Sequence, residues 1–165
     1  MKTLNQYIQE KLIINKDYND GKMYHPKSFD ELRKIIEDRY DKLGAGTKRN
    51  PIDFNDIDVS NLDSFCGDND KGIFEKTKFK YIDISSWDVS NVTNMTRMFC
   101  WCKELESIGD ISKWDVSKVN SMIHMFFDCK KFNQDISNWD VSNVMGRVGM
   151  FYGCPIKNEY EPKFK

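Results

Sequence analysis

Asp83-Ile84-Ser85-Ser86-Trp87-Asp88-Val89-Ser90-Asn91-Val92 returns almost unchanged as Asp110-Ile111-Ser112-Lys113-Trp114-Asp115-Val116-Ser117-Lys118-Val119, and again as Asp135-Ile136-Ser137-Asn138-Trp139-Asp140-Val141-Ser142-Asn143-Val144. Each copy runs on into a Met-Phe-x-x-Cys that ends at Cys102, Cys129 or Cys154. A period of this length marks an array whose units bury their apolar faces only against their neighbours. Such an array points to a binding surface rather than a catalytic pocket.

Within one unit, Trp87 and Val89 are two apart, which places both on one face of a strand. Met95, Met98, Phe99 and Cys102 then fall at i, i+3, i+4 and i+7, the apolar stripe of a helix. Ser90 sits where that helix needs an N-cap. Each unit therefore reads as strand, tight turn, helix and return loop. The last copy departs at Arg147, where Met is expected, and carries Gly146 and Gly149. Each internal glycine costs a helix about 1 kcal/mol relative to alanine, so the last helix is expected to be irregular. A degenerate earlier unit runs from Asp53 to Leu62, with Ile57 in the Trp place and Phe65 in that of Met95. The polar insertion after it, Cys66 to Lys71, is a candidate projecting loop.

These readings predict an α/β fold: a short parallel βα solenoid of about four units, near residues 53–82, 83–109, 110–134 and 135–154. Its strands would lie side by side with helices opposite, and Trp87, Trp114 and Trp139 would form an interior ladder. Residues 1–50 read as a helical N-terminal cap. Leu4, Tyr7, Ile8 and Leu12 fit one stripe. Ser28-x-x-Glu31 is a capping box, Leu32, Ile35, Ile36, Tyr40 and Leu43 fit a second stripe, and Gly44 is a stop signal. Residues 155–165 form a tail. Unless Tyr160 and Phe164 fold back over Trp139 and Phe151, that end is bare, which invites weak homodimerisation.

The repeated Asp-Ile-Ser-x-Trp-Asp-Val-Ser-Asn-Val-x-x-Met-x-x-Met-Phe-x-x-Cys resembles the BspA-like leucine-rich-repeat proteins of bacteria, with similar units in mycoplasma lipoproteins and in phages. The resemblance covers Asp53 to Cys154. It implies a leucine-rich-repeat-like solenoid and a recognition role, and it carries over no catalytic residue.

The formal net charge of −1 argues against bulk attraction to nucleic acid or to anionic membrane. No apolar run is long enough to span a bilayer, and Met1 to Ile14 lacks the features of a signal peptide or lipobox, so a cytoplasmic location is expected. Five cysteines, an odd number, suggest free thiols. Three share one repeat position and should stack as small buried hydrophobes. Zinc needs four convergent ligands, and the spacing offers none. The solenoid gives no reason for a Ser-His-Asp or Cys-His set to converge on His25 or His124. No cofactor or metal site and no enzyme activity is expected.

The sequence thus leads to a non-catalytic module that binds a protein partner. Two other readings are an intracellular inhibitor or adaptor encoded by a phage or mobile element, and a surface adhesin whose leader has been removed. The candidate contacts are Asp58, Asp88, Asp115 and Asp140, which would line the exposed sheet face with Lys113 and Asn138, and Asp68 and Asp70 in the 66–71 loop. The aspartate series has a structural reading as well, in which each carboxylate caps its own turn. Asp53, Asp83, Asp110 and Asp135 are read the same way.

Overall fold

Ser28 starts the first described helix of the chain, whose computed structural model describes residues 23–164. The expected helix around Leu4 to Leu12 lies outside the described residues. Helix α1 spans Phe29–Leu43. The Ser28 hydroxyl accepts from the Glu31 amide at 3.2 Å, and the Glu31 carboxylate accepts from the Lys27 amide at 2.8 Å. Asp30 and Glu31 occupy the first turn and Lys42 the last, which suits the helix dipole. Leu32, Ile35 and Ile36 are buried, and the helix ends where the Gly44 amide donates to Tyr40 O.

The four-unit parallel βα solenoid does not form. The described residues contain one α-helix, a two-stranded parallel sheet of β1 (Ile52–Asp53) and β2 (Ile82–Asp83), and a 3-10 turn at Asn158–Tyr160. The sheet register pairs Ile52 with Ile82 and Asp53 with Asp83. Trp87 and Val89 are buried, as a shared face requires, but no strand carries them.

The Met-x-x-Met-Phe-x-x-Cys segments do not form the expected helices. Met98 N donates to Met95 O, Cys100 N to Arg97 O, and Cys102 N to Phe99 O, all three residues back. The intervening amides leave the segment. Met95 N donates to Ser121 O, Arg97 N to Ile123 O, Phe99 N to Met125 O, and Trp101 N to Phe127 O, at 2.8–2.9 Å. An α-helix would bond every one of these amides internally, four residues back. Here alternate amides close tight turns and the rest reach the next copy of the motif. The same alternation joins Met122, His124, Phe126 and Asp128 to Gly146, Val148, Met150 and Tyr152. Side chains at i, i+3, i+4 and i+7 still point inward, and Met95, Met98, Phe99 and Cys102 are all fully buried. Successive turns can therefore produce the spacing that suggested a helix.

The backbone shows what breaks the helix. Arg97 and Trp101 have φ of 55° and 64°, and His124 and Asp128 have 54° and 59°. These left-handed residues recur four apart in each segment, and no right-handed helix accommodates them. In the last segment the same two places are held by Gly149 and Gly153, at 63° and 70°. Both glycines suit that backbone, so Gly149, expected to weaken a helix, instead fits its turn.

The hydrogen bonds connect into chains. Ser121 O and Met122 N belong to one peptide unit, whose oxygen accepts from the preceding segment and whose nitrogen donates to the following one. The units 123–124, 125–126 and 127–128 do the same. Four rows of peptide groups thus run through the protein with parallel dipoles.

Phenylalanines, more than tryptophans, form the continuous interior stack. Phe74, Phe99, Phe126 and Phe151 stack in order, with centroids 5.3, 5.3 and 5.8 Å apart and planes within 11°. Trp114 and Trp139 stack at 6.1 Å, but Trp87 turns to Phe65 and Phe74 instead. Trp87 Nε1 donates to Phe54 O at 2.8 Å and Trp139 Nε1 to Ile111 O at 2.9 Å. The buried Trp114 Nε1 finds no acceptor among the described residues.

The cysteines follow the repeat. Cys102 Sγ donates to Phe74 O and Cys129 Sγ to Phe99 O, each at 2.9 Å. All five are free thiols. Burial pushes the Cys102 thiol up to about 12 and raises Cys129 as well, so these two act as small apolar groups with a weak donor.

Helix α1 lies against the first, degenerate segment. Tyr40 meets Phe79 edge-on at 5.0 Å. Arg39 pairs with Asp56 through two hydrogen bonds of 2.7 and 3.0 Å and lies over the rings of Tyr24 and Phe54. Arg33 Nη1 donates to Gly72 O at 2.7 Å and to Ile73 O at 2.9 Å, and Nη2 reaches Glu75 O at 3.3 Å. Ile73 O and Glu75 O begin two of the peptide rows, because Phe74 N donates to Met98 O and Lys76 N to Cys100 O. One guanidinium therefore closes the acceptor end of those rows, supplying donors that no earlier segment provides.

Candidate functional site

The aspartate series is the most regular polar feature of the chain. Asp58, Asp88, Asp115 and Asp140 each accept, through Oδ1, from the amide two residues on, at Ser60, Ser90, Ser117 and Ser142, over 3.0–3.1 Å. Asp83, Asp110 and Asp135 do the same with Ser85, Ser112 and Ser137, and Asp53 does so with Asn55. These are Asx turns. Ser90, expected as a helix N-cap, is instead the residue capped by Asp88.

The carboxylates feel these bonds. The Ser112 hydroxyl and amide hold Asp110 below the ordinary carboxylate range, and Ser117 does the same for Asp115. For Asp135 the Ser137 amide contributes most, followed by its hydroxyl. Asp58 is half-buried. Desolvation there pushes its carboxyl up, but Ser60 and the His25 ring, with Nδ1 3.1 Å away, outweigh it and leave it lowered.

There is no regular sheet face for the series to line. Asp88, Asp115 and Asp140 are exposed along the turns, and so are Lys113 and Asn138. Side chains in this region tie one copy to the next: Asn91 Nδ2 donates to Ser60 O, Asn143 Nδ2 to Ser117 O, and Lys118 Nζ to Asn91 Oδ1, at 2.7–3.0 Å.

The 66–71 loop builds a separate feature. Gly67 N donates to Lys71 O and Asp70 N to Gly67 O, while Cys66 and Gly72 form an antiparallel bridge. The insertion therefore closes on itself as a short hairpin. It faces the start of α1 across a cleft of about 510 Å³, lined by Ser28, Phe29, Asp30, Arg33, Cys66, Gly67, Asp68, Asn69 and Lys71. Gly67 permits the approach, since a Cβ there would lie 2.8 Å from the Phe29 ring.

Asp68 lines this cleft, but Asp70 and the four aspartates of the series do not. The structure thus separates two groups that the sequence reading put on one binding surface. The contribution of Phe29 and Asp30 was missed. The capping box at Ser28 locates the helix N-terminus, but nothing in the sequence says which loop it faces. Burial raises the Cys66 thiol, which argues against an activated nucleophile. Among the described residues, no three His, Cys, Asp or Glu side chains converge as a metal site, and no helix is long and apolar enough to cross a membrane.

Residues 53–162 match a family model described as Mycoplasma protein of unknown function, DUF285. No curated protein matches the chain, and no solved structure does. This match, with the helix-free geometry of the repeated segments, corrects the resemblance to the BspA-like leucine-rich-repeat proteins. With more than half of its length matched, the chain belongs to the DUF285 family of Mycoplasma proteins of unknown function.

Proposed function

We propose that the chain is a non-catalytic protein-recognition module that holds its partner in the cleft between α1 and the 66–71 loop. The observation that carries this reading is the loop itself. It interrupts the repeated pattern, closes through its own hydrogen bonds, and leaves Asp68 and Asn69 exposed beside the Phe29 ring. Asp30 and Asp68 outnumber the lysine at the rim, and Arg33 is committed to backbone carbonyls. The cleft therefore suits a partner segment with a basic side chain beside an apolar one. The aspartate series serves chiefly to fix the turns. The five thiols suit a reducing compartment.

The test is a quantitative pull-down with the full chain and an Asp30→Lys/Asp68→Lys variant, after matching their melting temperatures. A protein retained by the wild type and depleted at least tenfold by the variant supports the cleft. Equal retention by both refutes it. Loss on an Asp88→Ala/Asp115→Ala/Asp140→Ala variant, with an unchanged melting temperature, would move the contact to the aspartate series and also refute it.

A further inference from the structure

The four rows of peptide groups end at the last turn segment. Gly146 O, Val148 O, Met150 O and Tyr152 O accept from the preceding segment. The amides of the same peptide units, at Arg147, Gly149, Phe151 and Gly153, have no hydrogen-bond partner among the described residues. This edge is a row of donors at the positive end of aligned dipoles, with two left-handed glycines, an arrangement suited to acceptors and negative charge. The opposite end shows the complementary solution in two of the rows, whose carbonyls are met by the Arg33 guanidinium.

A second observation lies on the same segment. Met145, Val148 and Tyr152 are 86 %, 71 % and 68 % exposed, the most of any large hydrophobic side chain among the described residues. The tail does fold back nearby: Ile136 N donates to Tyr160 O, and Arg147 lies over the Phe164 ring at 4.8 Å. It leaves these three side chains exposed and bonds to none of the four amides.

The occupant follows from polarity. A second copy presenting this same edge would set donors against donors. A copy stacking head to tail would need all four rows to end in open carbonyls, and Arg33 already occupies two of them. We propose that the Arg147–Gly153 edge docks an acidic, apolar peptide segment of a partner protein, its backbone and carboxylate oxygens accepting from the four amides and its apolar side chains covering Met145, Val148 and Tyr152. This surface is distinct from the α1 cleft, and each can fail without the other.

The experiment titrates the isotope-labelled full chain with an acetylated, amidated eight-residue peptide of alternating glutamate and valine, following backbone amide resonances. A matched lysine–valine peptide and inorganic phosphate serve as comparison probes. The expected result is a saturable shift centred on Arg147, Gly149, Phe151 and Gly153 with the glutamate–valine peptide alone. Val148→Glu/Tyr152→Glu, at exposed positions, should weaken it at least tenfold. Asp30→Lys/Asp68→Lys should leave it unchanged. Any of four results would overturn the proposal: no saturable shift, an equal response to the lysine peptide, full reproduction by phosphate alone, or a concentration-dependent dimer that perturbs these amides without peptide.

Discussion

Replacing Arg33 by methionine keeps much of the side-chain stem and removes the guanidinium that closes two peptide rows. The arginine side chain is 13 % exposed, and its two shorter bonds to carbonyls are 2.7 and 2.9 Å. Hydrogen bonds to a charged group contribute about 1.5–3 kcal/mol each, and a stranded buried acceptor carries a penalty of similar size. The third contact, at 3.3 Å, is weak. The pairing with the half-exposed Glu37 contributes at most ~1 kcal/mol. Water can reach part of this edge once the guanidinium is gone, so the expected loss is about 3 kcal/mol rather than the full sum. Arg33→Lys should lose roughly half of that, because one ammonium cannot reproduce the planar fork. Urea unfolding followed by tryptophan fluorescence measures both, with the denaturant slope checked for constancy. A loss below ~1 kcal/mol for Arg33→Met, or full rescue by lysine, would refute the idea that this side chain closes the array.

Three other outcomes follow from the same geometry. Gly149→Ala should destabilise the protein by about 1–2 kcal/mol, because φ is +63° and the new Cβ would lie 2.5 Å from the His124 ring; a helix there would instead gain ~1 kcal/mol in the same unfolding assay. Trp139→Phe should cost about 1–2 kcal/mol more than Trp114→Phe, since only Trp139 gives up a hydrogen bond while Trp114 sheds a buried orphan donor; equal costs in denaturation would count against that assignment. Ser112→Ala/Ser117→Ala/Ser137→Ala should be less stable than wild type at pH 7 and equal to it near pH 2. The folded carboxyls of Asp110, Asp115 and Asp135 lie below their unfolded values. Their stabilisation is complete above the unfolded pKa, about 4, and is lost as pH falls through the folded values. A pH-independent difference between the two proteins would contradict this.

What the sequence revealed depended on the range of each interaction. The cap at Ser28 and the stop at Gly44 are local and appear as read. The aspartate turns are local too: each carboxylate accepts from the amide two residues on, and the structural reading of Asp83, Asp110 and Asp135 holds. The turn segments misled because Met95, Met98, Phe99 and Cys102 are buried whether the backbone is helical or folded into successive turns. The discriminating signal was Gly149 with Gly153: two glycines four apart suit left-handed positions better than a helix interior. Neither the Arg33 contacts nor the pairing of α1 with the 66–71 loop could be read, because each joins residues some forty apart through a side chain and a backbone that no local pattern connects.

Alternate amides of the Met-x-x-Met-Phe-x-x-Cys segments bond to the next copy of the motif. Scalar couplings across hydrogen bonds observe this directly by magnetic resonance. They should link the amide nitrogens of Met95, Phe99 and Trp101 to the carbonyl carbons of Ser121, Met125 and Phe127. Couplings from Phe99 and Trp101 to residues four positions earlier would restore the helix and contradict the account.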